Sequence, residues 1–148
     1  MSSYRQILYH IIFRTKSGKK TLDLENIKEL YAYFVGIIRN KKGFVYRING
    51  IEDHVHILCD LHPNNSLADF MRDIKVSSST WLKQSGKFSK YEGWAEGYGA
   101  FTYSFKDKER IINYIRNQQE HHKMESFEVE LRQLLVEHGI DIDERFFP

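Results

Sequence analysis

Two short motifs carry the side chains best suited to chemistry. The first is His54-Val55-His56, set in the run Gly50-Ile51-Glu52-Asp53-His54-Val55-His56-Ile57-Leu58, and the second is Tyr114-Ile115-Arg116-Asn117-Gln118. On an extended strand, residues i and i+2 share one face about 6.5–7 Å apart, and on a helix residues i and i+4 are neighbours about 5–6 Å apart between Cβ atoms. These spacings predict two imidazoles on one strand face, and a phenol beside a carboxamide on one helix face. Together the groups suit metal-assisted attack by a tyrosine on a phosphodiester, with His54, His56 and Gln118 as ligands and Tyr114 as nucleophile. Displacing an alkoxide from phosphate needs charge stabilisation, and a neutral glutamine ligand leaves most of the cation's charge for that purpose. Mixed nitrogen and oxygen donors with open positions suit Mg2+ or Mn2+, without excluding zinc. Asp53 either orients an imidazole through a hydrogen bond or serves as a solvated turn residue.

Each motif alone has a plain structural explanation. Histidines alternating with Val55 and Ile57 fit a half-buried strand, and a tyrosine at the edge of an amphipathic helix covers the core. At about 100° per residue, Ile111, Ile112 and Ile115 form the apolar centre of the second motif's helix. Tyr114 and Gln118 lie on one shoulder, continued by Arg110 and His121, while Asn113 and Arg116 face solvent. A zinc hydrolase built from His54, His56 and either His62 or His121 is a competing arrangement, but it leaves Tyr114 without a function. The single cysteine, Cys59, lies in an apolar run and reads as a core residue, and the chain has no cysteine-rich pattern for a closed structural zinc site.

The elements that must hold these groups follow from hydropathy. Residues 4–13 alternate as a strand and a basic loop runs to residue 20, before apolar residues repeat at helical spacing over 22–40. Residues 44–49 read as a strand, Asn49-Gly50 as a tight turn, and 54–61 as the next strand. Ser66 is placed to cap a helix to about residue 84, with Asp69 three positions on. Residues 94–105 alternate as a strand in their later half, a helix is predicted over 107–123, and another over 126–138. This βαββαβ order predicts a ferredoxin-like, RRM-like antiparallel sheet, α+β in class, with helices on one face and additional C-terminal helices. With 148 residues, 41% hydrophobic and 14% aromatic, the chain has enough apolar surface for one folded domain over 1–148, with 124–148 as a helical tail. The net charge of +2 does not mark a nucleic-acid binder, although Arg14, Lys16, Lys19, Lys20 and Arg39, Lys41, Lys42 form basic clusters. There is no apolar run long enough to cross a membrane and no signal peptide at the N-terminus, so a cytoplasmic protein is expected.

Taken in order, the motifs resemble the single-tyrosine HUH transposases of bacterial insertion sequences, the insertion-sequence-200 type, along almost the whole chain. The resemblance rests on Tyr9-His10-Ile11-Ile12-Phe13-Arg14-Thr15-Lys16, the His54-Val55-His56 run, and Ser66-Leu67-Ala68-Asp69-Phe70-Met71-Arg72-Asp73-Ile74-Lys75. It continues through Trp94-Ala95-Glu96-Gly97-Tyr98-Gly99-Ala100-Phe101 and Tyr114-Ile115-Arg116-Asn117-Gln118-Gln119-Glu120-His121-His122. The resemblance implies that His54 and His56 ligate a metal with Gln118 as third ligand. It further implies that Tyr114 forms a 5′-phosphotyrosine link to single-stranded DNA and releases a 3′-hydroxyl that can later rejoin the strand without ATP. Members are dimers in which the tyrosine helix can serve the partner's histidine pair, and they recognise DNA hairpins at the ends of their mobile element. Lys75 on the second-helix motif, with Arg14 and Lys16, would contact DNA phosphates. His121 and His122 fit the pattern after the glutamine. The tail over 124–148 departs from the motif core; such tails occur in repeat-associated relatives as well as in mobile elements, which leaves cutting of palindromic repeats open as another role. Two alternatives remain open: a hairpin-binding regulator without chemistry, and a rolling-circle nickase that would need a helicase partner.

Overall fold

The computed structural model describes residues 3–147. Four strands, β1 (Tyr9–Arg14), β2 (Phe44–Ile51), β3 (His54–Asp60) and β4 (Gly99–Phe101), form one sheet in the order β2-β3-β1-β4. Each neighbouring pair is antiparallel. Helices α1 (Ile27–Asn40) and α2 (Leu67–Gln84) complete the βαββαβ order expected of a ferredoxin-like fold. Three further helices follow: α3 (Lys108–Arg116), α4 (Gln118–His121) and α5 (Phe127–Glu137).

The period-2 alternation of the central strands sends different chemistry to the two faces. Ile11 and Phe13 of β1, with Val55, Ile57 and Cys59 of β3, pack against Leu30, Phe34 and Ile38 of α1 and Phe70, Met71 and Ile74 of α2. On the other face, Ile12 and Phe101 meet Phe127, Leu131 and Leu134 of α5, while Leu8 and Leu58 meet Ile111 and Ile115 of α3. Helices therefore cover both faces, and β3 is buried from His54 to Cys59. Cys59 is a free, buried core thiol, as its apolar surroundings predict. No helix among the described residues is long and apolar enough to cross a membrane.

Three boundaries differ from the hydropathy reading, each because of a contact between distant segments. The hairpin turns at Glu52-Asp53, while Asn49 and Gly50 stay within β2, opposite His56 and Val55. Gly50 is needed there for close approach, since a Cβ at this position would lie 2.2 Å from the His54 carbonyl oxygen. Helix α1 starts at Ile27 because residues 21 and 22 are tied to the hairpin: Thr21 and Leu22 N–H groups donate to the Glu52 carbonyl at 3.0 and 2.9 Å. The strand expected over residues 4–13 is paired only from Tyr9, and Tyr4 is exposed. The Ser66 cap forms as expected, its Oγ accepting from Asp69 N at 3.1 Å, and Ser126 caps α5 in the same way.

Candidate active site

Strand β3 sends His54 and His56 to the face covered by α3 and α5, and both imidazoles are fully buried. The Asp53 carboxylate lies 2.7 Å from His54 Nδ1. A carboxylate only accepts, so the proton of a neutral His54 sits on Nδ1 and its Nε2 lone pair faces the centre of the site. His56 Nδ1 lies 2.8 Å from His10 Nε2, and His10 Nδ1 in turn lies 3.1 Å from the Tyr103 hydroxyl. This relay fixes the plane of His56 and leaves its Nε2 turned towards the same centre.

Tyr114 and Gln118 are delivered by a broken helix. The predicted helix over 107–123 is interrupted at Asn117, between α3 and α4. Asn49 causes the break to be stable: its side-chain amide donates to the Ile115 and Arg116 carbonyls at 3.0 and 2.9 Å, replacing bonds a continuing helix would make. Gln118 is fully buried, its Oε1 3.1 Å from His54 Nε2. The Tyr114 ring stands edge-on to His56 with centroids 5.9 Å apart. A cleft lined by Tyr103, Arg110, Tyr114, Glu130, Gln133 and Glu137 opens beside the phenol.

At the centre is a residue the sequence reading did not single out, Glu130 of α5, only 1% exposed. Its two oxygens have different neighbours. Oε1 faces three imidazole nitrogens, His122 Nε2 at 2.9 Å, His56 Nε2 at 3.1 Å and His54 Nε2 at 3.4 Å. Oε2 accepts from the Gln118 amide at 2.8 Å and from the Tyr114 hydroxyl. One donor atom each from His54, His56, His122 and Glu130 lies within 4.8 Å of the others, a spacing compatible with a metal ion. A signal for Glu130 was present in the sequence: Phe127, Leu131 and Leu134 make an apolar stripe, and Glu130 occupies the remaining position of that stripe. A carboxylate in such a stripe needs buried partners.

Burial and charge pull the site's titrations in opposite directions. Burial depresses His54, but hydrogen bonds to Asp53 and Glu130 outweigh it and raise its pKa to about 9. For His56 burial prevails over the attraction of Glu130, and the pKa falls to about 4. Glu130 is pushed up by burial yet held far below the usual carboxylate range by His56, His122 and His54. The Tyr114 phenol is raised well above its ordinary value, first by burial and then by the Glu130 charge.

The other predicted residues are less concentrated. Arg14 pairs with Glu128 at 3.1 Å, its guanidinium 4.7 Å above the Phe127 ring. Lys75 donates to the Ala95 and Gly97 carbonyls at 2.9 and 2.5 Å. The exposed Lys16 shares a shallow groove with Lys75 and Trp94. His62 stands outside the cluster, accepting from Asn64 N at 3.1 Å, and the more exposed His121 pairs with Glu125 at 3.3 Å. His122, not His121, brings its imidazole closest to Glu130.

A family model described as "Transposase IS200 like" matches residues 3–118. The transposase for insertion sequence element IS200 of Salmonella typhimurium is 29% identical over 121 residues, covering 78% of this chain and 79% of that protein. Its counterpart from Salmonella typhi shows the same identity and coverage. Among solved structures, one described as a transposase from Deinococcus radiodurans R1 aligns with a TM-score of 0.58 and 25% identity over 80% of this chain and 95% of that one. A REP-associated tyrosine transposase bound to a REP hairpin shares the fold, with a TM-score of 0.61 and 16% identity over 82% of this chain and 74% of that one. The family match stops at Gln118, before His122 and the whole of α5.

Proposed function

Since this chain belongs to the IS200-like transposase family, we propose that it cleaves and rejoins single-stranded DNA by transesterification through Tyr114. The observation that carries this reading is the meeting of the Tyr114 hydroxyl, the Gln118 amide and the His54 and His56 Nε2 atoms around one buried point. Imidazoles and a carboxamide fit a divalent cation such as Mg2+ or Mn2+, which when bound to His54, His56 and Gln118 would polarise the scissile phosphate and stabilise the leaving oxygen. The chain's own groups do the rest. Asp53 and His10 hold the two imidazoles in orientation, and Gln118 is buried where water would otherwise compete. Tyr114 Oη attacks phosphorus, forming an O–P bond as the bond to the 3′-oxygen breaks. The phenolic proton, which Tyr114 donates in a hydrogen bond to Glu130 Oε2 in the resting arrangement, passes to that carboxylate, and the departing 3′-oxygen takes up a proton from solvent. The resulting 5′-phosphotyrosine retains the energy of the broken bond, so the 3′-hydroxyl can attack it and restore the strand.

The substrate in this reading is DNA folded into a hairpin, supported by the fold neighbour that binds a REP hairpin. Lys16 would meet its phosphates directly, and Arg14 and Lys75 after leaving their present partners. A homodimer in the cytoplasm is the proposed working form. Tyr114 and the histidine pair meet within one chain, which favours attack in cis. A second role, cutting palindromic repeats instead of moving a mobile element, draws support from the fold shared with a REP-associated tyrosine transposase.

The test is incubation with single-stranded hairpin DNA, Mg2+ or Mn2+, and a Tyr114→Phe control. A metal-dependent covalent adduct lost in the Phe variant is expected. Hairpin binding without any adduct would instead make the protein a regulator.

A further inference from the structure

The outer edge of the sheet carries a strip of open aromatic rings that the buried site does not use. Strand β2 lies at that edge, and its register with β3 shifts between Val45 and Arg47, leaving Tyr46 as an extra residue. Phe44 lies opposite Asp60 and Arg47 opposite Leu58, so the bulge puts Phe44, Tyr46 and Arg47 on the face under α3. The Phe44 and Tyr46 rings meet edge to face with centroids 4.9 Å apart. Lys108, at the start of α3, places its ammonium 5.5 Å from the Tyr46 ring and 4.5 Å from the Phe105 ring. One cation thus ties three aromatics together. Phe44 is 58% exposed and Phe105 51%, and apolar rings clustered in this way, unlike single scattered ones, mark a contact surface.

The strip is bordered by cations. Arg47 and Lys106 are exposed and adjoin Tyr46 and Phe105 in the chain, and Arg39 lines a hollow with Phe44. None of these three has a side-chain partner among the described residues. Lys108 also faces Glu109 at 3.9 Å, an exposed pair that solvent screens. Cations around open ring faces suit a polyanion that carries flat apolar groups. Unpaired nucleotides are of that kind, with phosphates for the lysines and arginines and a base to stack on each ring. A duplex hides its bases, and an acidic peptide has no ring to offer at every unit. We propose that Phe44, Tyr46 and Phe105, with Arg47 and Lys106, form a stacking platform for unpaired bases of a single DNA strand. This rests on the reading of the protein as a single-strand DNA enzyme and names where the strand outside the hairpin lies. Position favours it: α3 carries both Lys108 and Tyr114, about 9 Å apart along its axis at 1.5 Å per residue. Tyr46 and Tyr114 also pack on the same cluster of Leu8, Leu58, Ile111 and Ile115. A strand on the platform therefore runs beside the phenol, a few nucleotides from the phosphate under attack. Stacking tolerates any base, so the platform orients the strand without reading its sequence.

Equilibrium binding of an unstructured thymidine oligonucleotide to the full chain in chelator tests this, beside an abasic strand of equal length. Both strands carry the phosphates and only one carries bases. The parent protein should prefer the thymidine strand by about ten-fold or more, and Phe44→Ala and Phe105→Ala should each remove about five-fold of that preference. Arg47→Gln and Lys106→Gln should weaken both strands alike and lower the slope of log K against log salt by about 0.7 each. Far-UV dichroism checks folding, and the two exposed phenylalanines come from different segments, so a defect in one variant leaves the other as evidence. Equal binding of the two strands by the parent, or an unchanged preference in either folded Phe variant, would overturn the proposal. So would sedimentation showing that these substitutions dissociate a dimer while DNA affinity stays, since the strip would then join two copies of the chain. Adduct formation by Tyr114 needs metal and is read separately: its absence sinks the transesterification reading, and the stacking preference is still decided in chelator.

Discussion

Asp53 shows how much of the site depends on single hydrogen bonds. Its carboxylate sets which nitrogen of His54 faces the centre, and it stays ionised because its bond to His54 outweighs the cost of burial. Replacing it by alanine should weaken divalent-cation binding by roughly 10–100-fold while helix content is preserved, as calorimetric titration and dichroism can show. Unchanged affinity would remove Asp53 from any orienting role. The metal-free protein should also carry a pH signature. The His54 pKa is raised from 6.5 to about 9 in the fold, so its bonds to Asp53 and Glu130 stabilise the protein fully below pH 6.5. That contribution is lost as pH rises through about 9. Thermal melts in chelator should therefore fall over this window, and a His54→Asn variant should show a shallower fall.

At the scale of elements, the break between α3 and α4 decides where Tyr114 and Gln118 end up. An unbroken helix over this stretch would carry Gln118 one turn above Tyr114 along a single axis. Here Asn49, from β2, accepts the role of ending α3 through two hydrogen bonds to its last carbonyls. An Asn49→Ala change removes both, at about 1 kcal/mol each, so urea denaturation should show a loss of roughly 1–2 kcal/mol. Adduct formation should drop further than this stability loss accounts for, since the tyrosine and the glutamine are set by the same break. If the variant is destabilised but reacts at the parent rate, Asn49 supports the fold alone.

Across the whole molecule, the larger apolar core and the buried titratable cluster lie on opposite faces of the sheet. Helices α1 and α2 build the larger apolar core with Ile11, Phe13, Val55 and Ile57, and the titratable cluster lies on the opposite face beneath α3 and α5. A cavity on the first face should therefore be felt as lost stability with little effect on the site. Phe34, 0% exposed and in edge-to-face contact with Phe13 at 5.8 Å, is the place to test this. Phe34→Ala should cost about 3–5 kcal/mol by denaturation, with metal affinity per folded molecule unchanged. A matching loss of affinity would mean that the two faces are coupled through β3.

Much of this arrangement is legible in the sequence because backbone geometry imposes it locally. Alternation along β3 put His54 and His56 on one face, the Ser66 cap marked the start of α2, and the strand–helix order pointed to the ferredoxin-like sheet that the structure has. The i and i+4 spacing put Tyr114 and Gln118 on the same shoulder even though the helix between them breaks. What the sequence could not supply were contacts between segments far apart along the chain. The Glu52-Asp53 turn, the role of Asn49 at the end of α3 and the choice of His122 over His121 are of this kind. Glu130 is the clearest case: its stripe position on α5 showed that it would be buried, but not against what. Periodicity specifies which face of an element is covered, whereas only packing of α5 across the sheet brings that carboxylate among three imidazoles and a phenol.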